Sequence, residues 1–201
     1  MGTSGITGFR LGRRDKISYN HSDSYPDFLG DQVVSEVAEM MKLGWNKVRH
    51  QVEEIRLYNE ADTPTRKLID RMKKLKMANF EVSTQSEDDF YCLLREAQGH
   101  PLTSLQIGAM VDSSLFVNDS LFCEWGYIIN LDQMVLEVYK GYQKKKHRRG
   151  RYGRRKEGQG INWKPEYKGE NQYFPIALIK TFPLDSIPEN WKEQCEKVFS
   201  Q

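Results

Sequence analysis

The chain has 201 residues and a net charge of +2, and 38% of its residues are hydrophobic. Four Trp, ten Tyr and nine Phe are too many for a disordered chain, so the composition predicts a folded protein with a core. No apolar run approaches the roughly eighteen residues of a membrane span, and residues 1–6 lack the apolar region of a signal peptide. We therefore expect a cytoplasmic protein that makes no membrane contact.

The N-terminal half predicts a β-hairpin followed by helices. Residues 6–11 and 16–20 are two short runs that flank a polar turn. Apolar residues at spacings of three and four then predict an amphipathic helix from Asp31 to about Leu43, and the same stripe continues past Gly44 to about Tyr58.

Three more helices are predicted before the chain returns to strand. They begin at Thr63-Pro64, at the capping box of residues 86–89, and at Pro101, from which the last runs to about Val111.

The C-terminal half predicts strands. Residues 125–130 and 134–139 form the clearest hairpin, residues 173–182 read as a last strand, and Ser186 caps a terminal helix. This order predicts an α+β fold in which several helices cover an antiparallel sheet of about five strands. We expect one domain over residues 1–201.

The charge is unevenly distributed. Residues 144–156, here called the basic segment, carry nine Lys or Arg and no acid, whereas the rest of the chain has 21 basic and 28 acidic residues. Apolar residues are scarce from 143 to 169, which predicts a long, mobile, solvated loop. Such a charge run with aromatic residues is typical of phosphate-backbone binding. Its candidate ligand-binding residues are Lys144, Lys145, Lys146, Arg148, Arg149, Arg151, Tyr152, Arg154 and Arg155.

Hydrogen-bonding side chains cluster between the second strand and the first long helix. The cluster comprises Tyr19, Asn20, His21, Ser22, Asp23, Ser24 and Tyr25, and Pro26 follows it. A polar cluster at a strand-to-helix junction is a candidate ligand site, and the backbone N–H groups of residues 28–30 could receive a phosphate.

Three functions fit these features. The leading hypothesis is a protein that binds a phosphorylated ligand, either a nucleotide or a nucleic-acid strand, through the polar cluster and the basic segment. The first alternative is a hydrolase of a phosphodiester or an amide, with His21 as general base, Asp23 orienting it, and Ser24 or Tyr25 assisting. The second is an adaptor that binds a host protein.

Cofactor chemistry has little support in the sequence. Cys92, Cys123 and Cys195 are widely spaced within apolar patterns, which predicts buried thiols and neither disulfides nor a zinc site. We expect no cofactor and no metal, and homo-oligomerisation stays open.

Gly2-Thr3-Ser4-Gly5, residues 19–26 and the hairpin 125–139 together resemble a group of short, uncharacterised proteins of bacteriophage and bacterial genomes. That resemblance implies no activity. It favours a small cytoplasmic factor that acts on host molecules, such as a binder of nucleotide signals in a defence pathway.

Overall fold

The computed structural model describes residues 2–59, 61–81, 89–154 and 173–198. The strands are β1 (Gly5–Leu11), β2 (Arg14–Asn20), β3 (Arg56–Tyr58), β4 (Ala109–Val111), β5 (Trp125–Asn130), β6 (Val135–Lys140) and β7 (Ala177–Pro183). The helices are α1 (Asp31–Leu43), α2 (Trp45–Glu54), α3 (Arg66–Lys74), α4 (Phe90–Leu93), α5 (Pro101–Ile107) and α6 (Trp191–Glu196). None of the helices within these residues is both long enough and apolar enough to cross a membrane.

A five-stranded sheet in the order β2-β1-β5-β6-β7 forms the centre of the protein. The two predicted hairpins are present, and β7 pairs antiparallel with β6. The strands β1 and β5 run parallel, so the sheet is mixed, although mostly antiparallel. Parallel pairing follows from the long connection between β2 and β5, because such a connection can return the chain to the same end of the sheet. The predicted α+β class is confirmed.

One face of the sheet packs against helices. Phe9, Tyr127 and Ile129 point to this side from the inner strands and are fully buried, as are Val33 of α1 and Val48 of α2. The apolar stripes of the two helices therefore cover the sheet, as their periodicity predicts.

The opposite face is covered by non-helical chain. Ile6, Ile17, Ile128 and Tyr139 form a second buried cluster with Tyr152, which belongs to the basic segment. A short 3-10 turn, Tyr152–Arg154, closes this layer. The sheet is thus enclosed between helices on one side and part of the basic segment on the other.

The structure corrects several predicted elements. The helical stripe ends at Glu54, and Arg56–Tyr58 pairs instead as a strand with Ala109–Val111, which was also predicted to be helical. Short strands are hard to distinguish from helix ends by periodicity, because three residues span less than one helical turn. The last strand begins at Ala177, later than predicted.

The prediction of a solvated loop over 143–169 is wrong for the part that packs on the sheet. Tyr152 is fully buried and Arg151 is partly buried. Residues 155–169, including Arg155, lie outside the described residues, as do residues 86–88 of the predicted capping box.

Candidate ligand-binding surface

The polar cluster forms a tight corner against the start of β1. Asp23 has a φ of 55°, in the left-handed region, where an aspartate is tolerated because its short side chain can bond locally. The N–H of the next residue, Ser24, donates to the carbonyl of Thr3 at 3.0 Å. The corner is therefore held by backbone bonds.

His21 pairs with a tyrosine and not with the expected carboxylate. Its Nδ1 lies 3.2 Å from the hydroxyl of Tyr19, which in turn lies 3.1 Å from the hydroxyl of Ser4. Among the described residues, the structure has no hydrogen bond between His21 and Asp23. The prediction that Asp23 orients His21 is thus wrong.

Ser24 and Asn20 serve the fold. The Ser24 side chain is fully buried, and its Oγ accepts from Nδ2 of Asn20 at 2.8 Å. The carbonyl of Ser24 accepts from the hydroxyl of Tyr127 at 3.1 Å. A buried hydroxyl that already has a partner is poorly placed for nucleophilic attack, so the geometry disfavours Ser24 as the assisting group of the hydrolase hypothesis and leaves exposed Tyr25 as its candidate.

The phosphate cradle predicted at residues 28–30 does not form. Pro26–Gly30 is a π-helical turn, in which the N–H groups of Phe28 and Gly30 donate to the carbonyl of Tyr25 at 3.1 and 3.2 Å. The N–H of Leu29 donates to the carbonyl of Asp23 at 3.2 Å. These donors are occupied, so the backbone cannot hold an anion at this point.

One lysine partly offsets the charge of the two acidic residues beside this turn. Nζ of Lys192 lies 2.9 Å from a carboxylate oxygen of Asp27 and 2.8 Å from one of Asp31. The two carboxylates therefore repel an approaching anion less than their sequence positions suggest.

Exposed aromatic rings meet lysine ammonium groups at the end of the sheet beside this corner. Tyr25 and Tyr142 are 45% and 48% exposed, and the ring of Tyr142 lies 6.4 Å from that of Tyr173. Nζ of Lys140 lies 5.6 Å from the Tyr142 ring centre, and Nζ of Lys144 lies 5.9 Å from that of Tyr173. We call these five residues the aromatic surface.

Backbone contacts hold Tyr142 in position. Its φ is 57°, and its N–H donates to the carbonyl of Ser120 at 2.6 Å. Burial raises the pKa of Tyr142, and the Glu124 carboxylate and the hydroxyls of Tyr173 and Tyr25 raise it further.

Lys140 connects the aromatic surface to the buried side chain of Trp125. Its Nζ lies 4.1 Å from the centre of the Trp125 ring, its cross-strand partner. Burial lowers the pKa of Lys140, and nearby Glu124 opposes this shift. A lysine held over a tryptophan face gains a cation–π attraction, which fixes the Lys140 ammonium group at the end of β6.

The basic segment divides into exposed and buried cations. Six side chains are exposed: Lys144, Lys145, Lys146, Arg148, Arg149 and Arg154. Arg151 instead bonds both oxygens of Asp15 at 3.0 Å and also bonds Glu137 and the Tyr139 hydroxyl. Tyr152 donates to Asp15 at 3.2 Å. We call Asp15, Glu137, Tyr139, Arg151 and Tyr152 the Arg151 network.

The Arg151 network fixes the exposed cations to the sheet. Burial raises the pKa of both Tyr139 and Tyr152, so the two rings stay neutral hydroxyl donors. The carboxylate of Glu137 also accepts from buried Asn130 at 2.7 Å. Each charged group of the network has an oppositely charged partner, so the network holds this part of the basic segment against the sheet.

Sequence reasoning missed Lys140, Tyr142 and Tyr173 as binding candidates. An isolated exposed tyrosine leaves no periodic signal, so only the fold shows that they meet. Glu137 did leave a signal, because a carboxylate between Leu136 and Val138 in an apolar strand needs a buried partner.

Compared with known proteins, the chain matches no family model, no curated protein and no solved structure. Within the described ranges, no group of three or more His, Cys, Asp or Glu side chains could hold a metal ion. The aromatic surface and the exposed cations beside it are therefore the features on which a function can be argued.

Proposed function

We propose that the protein binds single-stranded nucleic acid across the aromatic surface and the exposed part of the basic segment. The observation that carries this proposal is the meeting of Tyr142 and Tyr173 with Lys140 and Lys144 at the point where the basic segment leaves β6. Exposed Tyr25 lies in the polar corner at the same end of the sheet. Single-strand binding combines stacking on aromatic rings with a cationic path for the backbone.

The tyrosines provide the stacking part. Tyr25 and Tyr142 are 45% and 48% exposed, and Phe28, three residues after Tyr25, is 62% exposed. Every base has a π-face, so stacking on these rings is independent of sequence. Lys140 and Lys144 lie beside the rings, where they can reach the phosphates between stacked bases.

The basic segment provides the electrostatic part. Six exposed Lys and Arg side chains lie within residues 144–154, and Arg151 of the same segment bonds Asp15 of the sheet. A tied segment loses less conformational entropy on binding than a free loop, so its charges attract a strand at lower cost. Affinity should fall steeply with salt, by about 0.7 logarithmic units for each phosphate contact per tenfold change in salt.

Fluorescence anisotropy with an end-labelled oligothymidylate of about a dozen nucleotides tests the proposal. We expect binding at about 50 mM salt that weakens by at least tenfold at about 200 mM. Arg148→Gln with Arg149→Gln should lower both the affinity and the salt dependence. Tyr142→Ala should weaken binding by about 1–3 kcal/mol through lost stacking, and Tyr142→Phe should bind as wild type does.

A matched control is available on α3. Lys67 and Lys74 are exposed there, so Lys67→Gln with Lys74→Gln removes the same charge from an element that contributes no residue to the aromatic surface or the basic segment. This control should bind within about twofold of wild type, because exposed charges outside the binding surface are screened by salt. Absence of binding at low salt, or equal losses in both double variants, would overturn the proposal.

A further inference from the structure

A second cationic feature lies at the opposite end of the sheet. The turn between β1 and β2 holds Gly12 and Arg13 at φ values of 58° and 62°, and both N–H groups donate to the carboxylate of Asp132, at 2.8 and 3.0 Å. The aromatic surface lies at the other end of these strands, where Gly5 pairs with Trp125. Six residues of strand, or about 20 Å, separate the two ends.

An arginine is a poor residue for this turn position. A φ near 60° suits Gly or Asn, and most other residues there strain the backbone. Arg13 therefore does not serve the turn, and its guanidinium group is exposed. Strain of this kind is typical of positions at which the side chain has another role.

A groove of about 540 Å³ adjoins the turn. Its lining residues are Arg13, Arg14, Asp15, Lys16, Ile55, Leu57 and Ser114. This volume lies within the range of about 300–1,000 Å³ that is typical of small-molecule sites. The arginines come from the hairpin, and the apolar side chains come from the end of α2 and from β3.

The other charged groups of the groove are already satisfied. Nζ of Lys16 donates to the carbonyls of Val52, Glu53 and Ile55 at 2.7–2.9 Å and so caps the C-terminus of α2. Asp15 is paired with Arg10 and Arg151. Within the described chain, neither guanidinium group of Arg13 and Arg14 has a carboxylate at ion-pair distance. Both are available to a ligand.

We propose that this Arg13/Arg14 groove binds a nucleoside phosphate. Two adjacent guanidinium groups present planar forks of donors, which match phosphate oxygens in bidentate pairs. The side chains of Ile55 and Leu57 form an apolar wall against which a base can lie, and Ser114 adds a hydroxyl. This site lies at the other end of the sheet from the aromatic surface, and the inference does not depend on the proposed binding of nucleic acid.

Isothermal titration calorimetry with ADP, adenosine and inorganic phosphate tests the inference on the full chain. We expect ADP to bind at low salt and adenosine to bind at least tenfold more weakly, because it lacks the phosphates. Inorganic phosphate should compete with ADP, but with lower affinity, because it makes no contact with the apolar wall. Arg13→Gln with Arg14→Gln should weaken ADP binding at least tenfold.

Two further variants separate this site from the aromatic surface. Arg13→Lys with Arg14→Lys keeps the charge but loses the forks, so ADP binding should weaken to an intermediate degree. Tyr142→Ala should leave ADP binding within about twofold of wild type, because the aromatic surface lies about 20 Å away at the other end of the strands. Arg13→Gln with Arg14→Gln should likewise leave oligothymidylate binding within about twofold, because charges at that distance are screened. No ADP binding by wild type, equal binding of adenosine, or no effect of the Gln pair would each overturn the inference.

Discussion

Gly30 lies where the start of α1 approaches α6. A methyl group on its Cα would lie 2.5 Å from Cη2 of Trp191 and 3.1 Å from the hydroxyl of Tyr127. Both rings are buried, so neither can move aside freely. We predict that Gly30→Ala lowers the free energy of unfolding by about 1–3 kcal/mol, as overpacking does elsewhere.

Urea denaturation followed by tryptophan fluorescence measures this change. Ser35→Ala, at an exposed position of α1, is the matched control and should stay within about 0.5 kcal/mol of wild type. If Gly30→Ala were as stable as Ser35→Ala, the contact with Trp191 would have to be loose.

Asp132 fixes the β1–β2 turn through its two backbone hydrogen bonds. The bonds from Arg13 and Gly12 lower the pKa of this carboxyl, and Arg10 lowers it further. A carboxyl whose pKa is depressed in the folded state stabilises the fold above its unfolded pKa, and this stability is lost as the pH falls through the folded value. We predict that Asp132→Ala lowers the free energy of unfolding by about 1 kcal/mol at neutral pH.

The difference between Asp132→Ala and wild type should begin to shrink as the pH falls below about 4, the ordinary pKa of an aspartate, and vanish as the pH falls through the lower pKa of the folded carboxyl. Urea midpoints at neutral and acidic pH measure it. Glu189→Ala, at an exposed position, is the control and should show no such dependence. A constant difference across this range would show that the ionised form of Asp132 is not what holds the turn.

Arg151 is the side chain through which the basic segment bonds both Asp15 and Glu137 of the sheet, next to the buried ring of Tyr152. Removing one partner of a buried pair leaves an uncompensated charge, which costs about 3–5 kcal/mol. We predict that Arg151→Met destabilises the fold by about 3 kcal/mol, since its side chain is 21% exposed. Adding Glu137→Gln should recover part of this loss, because the orphaned charge is then gone.

Thermal and urea unfolding of the single and double variants measure the coupling. Arg148→Met, three residues away and exposed, is the control and should be near neutral. Equal stability of Arg151→Met and Arg148→Met would mean that the Arg151 network does not support the segment.

Local sequence patterns predicted which segments form strands and helices better than they predicted which strands pair with each other. The alternation of residues 125–130 and 134–139 predicted the central hairpin, because a hairpin is decided by neighbouring residues. The parallel pairing of β1 with β5 joins residues about 120 positions apart, as Gly5 and Trp125 show, and no local pattern encodes it. Arg151 was predicted to bind a ligand, and its pairing with Asp15 and Glu137 was not predicted for the same reason: a charge run is interpreted as solvated unless its buried partners are known.

Two clusters of buried side chains differ in their connection to the rest of the protein. The central sheet packs on both faces, whereas a smaller cluster around α3 and α4 includes Leu68, Met72, Phe90 and Leu93. Its strands β3 and β4 form only a two-stranded sheet. Local stability follows the number of buried contacts that must break, so we expect the smaller cluster to open without the central sheet.

Hydrogen exchange under native conditions tests this difference. The amide of Ile128, in the centre of the sheet, should exchange through global unfolding, and that of Leu93 through an opening that costs on the order of 2 kcal/mol less. Val138→Ala in the sheet should then speed the exchange of Ile128 and leave Leu93 nearly unchanged, because the sheet stays folded when the smaller cluster opens. Met72→Ala should speed both amides, because global unfolding also breaks the smaller cluster. If Val138→Ala accelerated both amides equally, the two clusters would unfold as one cooperative unit.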